Sequence, residues 1–170
     1  ISQFLSIYHN LDPQIEGAKV ISNFWGMMTL GTLLGLVLLK ILDSRKMLIG
    51  TSVATIIALL LALFGGSSLA LIAFPLIGFF ISTMWSIIIS LALNSVAEAH
   101  GSFSGILVTG IVGGAVVPFI VGVLGDAFGL RIGMIFLFIT LLFIVSIGFW
   151  SKPLINNTIA SVSPIKRKDS

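Results

Sequence analysis

The sequence predicts an all-α integral membrane protein: five full membrane spans preceded by the end of a sixth. Three observations carry that reading. Of 170 residues, 57% are hydrophobic and only 9% charged, with a mean hydropathy of +1.18. Soluble domains carry roughly 25% charged residues, so this chain cannot cover a globule with polar side chains, and its outer solvent is lipid. The apolar residues also fall into runs of about 20, the length that crosses a bilayer as helix. Finally, the connectors are short ("DSRK", "GGSS", "AEAHGS", "GDAFGLR"), which forces antiparallel neighbours and hence a bundle.

The elements follow in order. Residues 1–8 are mixed, apolar and hydroxylated, and run straight into "HNLDPQIEGAK"; residues 1–10 form one unit. Eight helical residues rise about 12 Å, too little to span. No basic stretch precedes them and no small-residue cleavage site follows, so they are not a signal peptide. They read as the end of a truncated transmembrane helix. The five spans are Val20–Leu42, Met47–Phe64, Leu69 to about Val96, Phe103–Leu124 and Ile132–Trp150, which makes residues 11–150 the five-helix part. Residues 151–170, polar with proline and serine, read as a mobile tail.

The charges give the orientation. A net charge of +3 and a pI near 9.6 do not indicate nucleic acid, because the cations sit in connectors and tail rather than on one face. Lys40, Arg45 and Lys46 follow the first span, and Lys152, Lys166, Arg167 and Lys168 follow the last. The connector with Glu98 and His100 lies on the same side. The other side carries Lys19 with Asp12 and Glu16, then "GGSS", then Arg131 with Asp126. The positive excess places the Arg45–Lys46 loop and the C-terminus in the cytoplasm. The sequon Asn156-Asn157-Thr158 is therefore expected to go unmodified.

The fourth span is unusual: "GILVTGIVGGAVVPFIVGVLGD" carries many glycines and Pro118. Glycine costs about 1 kcal/mol and proline about 3 in an ordinary helix interior. In lipid, helices associate through close approach of small residues. Gly105, Gly110, Gly113 and Gly114, with Thr109, recur at three- and four-residue spacing, and Gly31 and Gly35 do so in the first span. They are expected to pack against neighbouring helices, with Pro118 bending its own. For any one glycine static packing is the better reading; the set together suits helices that slide or rock.

No Asp, Glu, Lys, Arg or His lies deep in any span. A proton-driven transporter usually needs an intramembrane carboxylate, which these spans do not supply. Neutral polar groups remain. In the third span Ser82, Ser86, Ser90 and Asn94 recur every four residues, with Thr83 beside them and Trp85 near mid-membrane. Hydroxyls, an amide and an aromatic plate are the groups that recognise an uncharged sugar. Each serine alone is better read as bonded to its own backbone; for Trp85, gap-filling in the bundle and binding weigh equally. Asn23 and Trp25 suit interfacial anchoring, and His9 and His100 suit solvated helix ends. With no cysteine, disulfides and thiolate metal sites are excluded. No zinc motif, phosphate loop or hydrolase triad is present, so neither an enzyme nor a bound metal or cofactor is expected.

Three stretches, "SNFWGMMTLGTLLGLVLLKILDSRKML", "STMWSIIISLALNSV" and "GSFSGILVTGIVGGAVVPFIVGVLGDAFGL", together resemble the C-terminal half of the fucose–galactose–glucose:H+ symporter family (L-fucose permease-like) of the major facilitator superfamily. The resemblance covers nearly the whole chain. It implies a twelve-helix fold of two six-helix halves, here the end of the seventh helix and helices eight to twelve. It implies alternating access around a midplane sugar site in the bacterial inner membrane, with sugar uptake coupled to proton entry. The partners implied are a small neutral sugar (fucose, galactose, glucose or similar), the proton, the lipid bilayer and the missing N-terminal half, which holds the proton-handling carboxylates. Trp85 occupies the position of the family's cavity-facing aromatic residue on the tenth helix; Ser82, Ser86 and Asn94 rest on spacing alone. Thr32 stands where relatives often carry an arginine. A different class, a non-transporting membrane sensor or assembly partner of the same fold, is suggested by the lack of titratable groups in the spans.

Overall fold

The structure, a computed structural model, describes residues 1–93, 95, 105 and 108–151. Its elements are α1 (Ser2–His9), α2 (Glu16–Leu38), α3 (Ser44–Phe64), α4 (Ser67–Leu93), a 3₁₀ turn (Gly110–Val112), α5 (Gly113–Phe128) and α6 (Leu130–Trp150). Among the described residues, α2, α3, α4 and α6 are long and apolar enough to cross a membrane; α5, with 16 residues, is shorter. The start of the expected fourth span, Phe103, and the end of the third, Val96, lie outside the described residues, as do Asn94, Glu98, His100 and residues 152–170.

Helix ends depart from the apolar runs for local reasons. The first run reaches Leu42, yet α2 ends at Leu38, and a tighter turn follows in which Lys40 and Ile41 donate to Val37 and Leu38 carbonyls. Asp43 then starts α3: its carboxylate accepts the backbone N–H groups of Arg45 (2.9 Å) and Lys46 (3.2 Å), two of the donors that a helix N-terminus leaves unpaired. At the start of α2, Asp12 accepts from the amides of Gln14 and Ile15 while Glu16 reaches back to the amide of Asp12, a reciprocal arrangement of capping-box type. Helix α5 runs four residues past the expected Leu124 and breaks at Gly129, whose φ of +93° suits a residue without a Cβ.

Helix α4 is the hub. It packs against α2 and α3, and α1 touches it through Phe4 and Phe74, whose ring centroids lie 5.7 Å apart. Its buried residues Ala70, Ala73, Phe74, Ile77, Met84, Ile87 and Leu91 meet Leu48, Leu59, Ala62 and Leu63 of α3. Helix α6 joins α3 to α5. The α2–α4 contact is close because Gly31 and Gly35 lie in it. A Cβ on Gly31 would run into the Phe79 carbonyl oxygen and the Ser82 hydroxyl, and one on Gly35 would come within 2.9 Å of the Thr83 methyl.

Candidate functional site

The polar third span folds as α4, and its residues separate onto two sides of that helix. Ser82 and Thr83 are buried in the α2–α4 contact, at 5% and 2% exposure. Their hydroxyls donate to the Phe79 and Phe80 carbonyls at 2.9 and 2.8 Å, one turn back along the helix. Ser86 is half-buried. Asn94 lies outside the described residues.

Trp85, about 60° round the helix from Ser82, is turned towards α3 and α6. It is 48% exposed and lines a cleft of about 250 Å³ among α3, α4 and α6, with Ile81, Met84, Leu137, Leu141 and Ile144. The polar side chains in its wall are Thr55 and Thr140. Both hydroxyls donate to their own helices, to Thr51 and Leu137 carbonyls at 2.8 Å, leaving oxygen lone pairs free to accept. The cleft therefore offers an aromatic face and apolar walls with few hydrogen-bonding partners. An indole there can stack on the C–H face of a ring; Thr55 and Thr140 are the side chains in its wall that could accept from a sugar's hydroxyls.

The glycines divide in the same way. Gly31 and Gly35 sit in the α2–α4 contact, whereas a Cβ on Gly105, Gly110, Gly113 or Gly114 would meet nothing within 4 Å among the described residues. Pro118 lies inside α5, no residue of which is buried.

At the end of the bundle where α3 and α6 meet, Arg45 does more than mark a basic loop. Its guanidinium donates from Nε to the Gly148 carbonyl (3.2 Å) and from Nη2 to the Phe149 carbonyl (2.7 Å). These are last-turn carbonyls of α6, where a cation also suits the helix dipole. Lys46 is exposed beside it.

The opposite end holds groups that sequence reasoning passed over. Arg131 stands in the first turn of α6, where a cation opposes the helix dipole. It is held instead over aromatic rings: its guanidinium lies 4.4 Å from the Tyr8 ring centroid, 5.8 Å from Phe64 and 5.9 Å from Phe4, a cation–π arrangement from two helices. The Tyr8 hydroxyl accepts the Arg131 backbone N–H at 3.2 Å. Beside Tyr8 a second cleft of about 490 Å³ opens between α1 and the α5–α6 turn, lined by Gln3, Ser6, Tyr8 and Asp126 over a floor of Gly122, Gly125 and Gly129. In the sequence, Asp126 and Arg131 read only as connector charges. Nothing in their spacing shows that α1 folds against them.

This arrangement defines a polytopic helical membrane protein whose clefts include an apolar one at Trp85 and a polar one at Tyr8 and Asp126. The chain is 33% identical over 130 residues to a glucose/galactose transporter of Brucella abortus, covering 73% of this chain and 32% of that protein. It is 36% identical over 117 residues to a provisionally named glucose/galactose transporter of Helicobacter pylori, covering 69% of this chain and 28% of that one. By sequence, the chain belongs to the family of these transporters. It spans about a third of the length of the curated relatives it matches. No family model matches the chain, and no solved structure does.

Proposed function

We propose that the chain is the C-terminal half of a secondary active transporter that takes up a neutral sugar by proton symport and alternating access. The observation that carries this reading is the match to glucose/galactose transporters over 130 residues, laid along a bundle of membrane-length helices. Glucose or galactose is accordingly the first substrate to try. The described helices hold no carboxylate in their interior, so the coupling acid is assigned to the rest of the protein. Lys40, Arg45 and Lys46 at one end favour a cytoplasmic "DSRK" loop and C-terminus in a bacterial inner membrane.

Trp85 is the residue of this half assigned to the sugar: a half-exposed indole in a concave wall gives a stacking face. Ser86, one residue on and half-buried, is the nearest hydroxyl assigned with it. Ser82 and Asn94 remain assigned by their helical spacing, Ser82 with its hydroxyl already bonded to the Phe79 carbonyl.

The test uses the full-length protein in membrane vesicles. Neutral sugars are added one at a time while external pH is recorded. Alkalinisation with glucose or galactose is the expected result. Silence across the panel, with folded protein, removes the symport reading and leaves the non-transporting one. Given a transported sugar, Trp85→Ala is expected to raise the half-saturating concentration roughly tenfold, as the loss of about 1.4 kcal/mol of stacking does. Trp85→Phe should recover most of it. An unchanged half-saturation in Trp85→Ala removes the site assignment and leaves the fold standing.

A further inference from the structure

We propose that the polar cleft between α1 and the α5–α6 turn is a second sugar subsite, at the water-facing end of the bundle. The inference rests on the sugar-transport reading. The first cleft offers a polyol's hydroxyls only the acceptor oxygens of Thr55 and Thr140; the second offers more. It is lined by a carboxylate (Asp126), an amide (Gln3) and two hydroxyls (Ser6 and Tyr8). Apart from the bond that Tyr8 accepts, these side chains make no hydrogen bond or ion pair among the described residues. Three uncommitted polar groups and a tyrosine hydroxyl still able to donate, all lining one concavity, are what a small polar ligand requires. The cavity, about 490 Å³, is within the range of about 300–1,000 Å³ usual for small-molecule sites.

The geometry also fixes the key group. Tyr8 is pinned by Arg131, which stacks on its ring at 4.4 Å and donates a backbone N–H to its hydroxyl oxygen at 3.2 Å. The phenolic hydrogen stays free to donate, and the ring is held still. Asp126 supplies two acceptor oxygens that can bridge adjacent hydroxyls of a ring. Gly122, Gly125 and Gly129 put bare backbone on the floor, so a ligand can approach the main chain closely.

The balance of groups favours a neutral polyol over a cation. One carboxylate faces an amide and two hydroxyls, and the nearby charged group, Arg131, is itself positive. The cleft lies at the end that carries Asp12, Glu16 and Lys19 in its connector, so a ligand reaches it from water. It is thus a loading or release subsite, separate from the Trp85 cleft.

The test uses the full-length protein in vesicles and a sugar that the unaltered protein is shown to carry. Asp126→Asn is expected to raise the half-saturating sugar concentration roughly tenfold, the usual cost of losing a hydrogen bond to a charged acceptor, with the maximal rate within about twofold. Asp126→Glu should recover part of the loss, and Ser6→Ala and Gln3→Ala should each raise it less. Should Asp126→Asn fail to fold, judged by size-exclusion chromatography in detergent, the Ser6 and Gln3 variants decide. An unchanged half-saturation in folded variants overturns the subsite while leaving the transport reading intact. A variant that loses only its response to sodium or to pH, with sugar half-saturation unchanged, makes the cleft a cation site and also overturns it. No uptake of any neutral sugar by the unaltered protein removes the transport reading on which the subsite rests.

Discussion

Helices α4 and α5 are both apolar and both carry an internal proline, Pro75 and Pro118, yet their surroundings are opposite. Helix α4 is enclosed between α2 and α3 and buries residues from Ala70 to Leu91 along its length. Helix α5 meets α6 and the 3₁₀ turn before it, and buries none; Phe119 is 71% exposed. Apolar content puts both helices in lipid or protein without distinguishing the two. The distinction comes from neighbours, and small residues show where a neighbour is close. On α2, Gly31 and Gly35 already have their partner in α4. On α5, Gly113, Gly114 and Gly122 stand open among the described residues.

The sharpest way to break this contrast is Gly31→Leu. Its Cβ would strike the Phe79 carbonyl oxygen, and backbone inside a packed helix cannot rotate aside as a side chain can. Overpacking of this kind costs about 1–3 kcal/mol, occasionally more. We expect a fall in thermal midpoint larger than that of Arg45→Ala or Gly114→Ala, measured on the full-length protein in detergent. A midpoint equal to that of the unaltered protein would mean that α2 and α4 are not held at this distance.

Arg45→Ala tests the other end of the enclosed region. It removes two charge-assisted hydrogen bonds to the carbonyls of Gly148 and Phe149, each partly exposed to water, for an expected loss of about 2 kcal/mol. Arg45→Lys should recover less than half, since an ammonium lacks the planar fork that reaches two carbonyls at once. Protease cleavage near Trp150 gives an independent readout, because the last turn of α6 loses its tie to α3. Equal cleavage rates in the two proteins would show that the bonds contribute nothing to holding that turn.

These residues also show what the sequence could reveal. The helical class, four of the five spans and the basic loop were legible, because lipid demands long apolar runs and short connectors whatever the tertiary packing. Gly31 and Gly35 could be flagged by spacing, but their partner, the Phe79–Thr83 turn, could not. Why Ser82 is covered while Trp85 lines a cleft was hidden for a related reason. They lie three residues apart, close on the helix wheel, and only the positions of α2 and α6 decide that one is covered and the other lines a cleft. Arg45 read as topology and proved to cap a helix more than a hundred residues away in sequence. The Asp126 cleft was invisible because it needs α1 to fold against the α5–α6 turn, a contact between residues of which Tyr8 and Arg131 are 123 apart.

The smallest expected effect is the most informative about α5. Gly114→Ala adds a methyl group that meets nothing within 4 Å among the described residues. On these residues alone the change should be neutral, or stabilising by up to about 1 kcal/mol through helix propensity. In the full-length protein we expect the opposite sign, a small loss of thermal midpoint, because we assign the Gly110–Gly113–Gly114 face to contact with the part of the protein beyond these residues. Any such loss has to arise there, since nothing within 4 Å of that methyl group among the described residues can produce it. A gain in midpoint would return the face to lipid. The open side of α5 would then be a finished surface, and the contrast with α4 would be one between a helix in protein and a helix in bilayer.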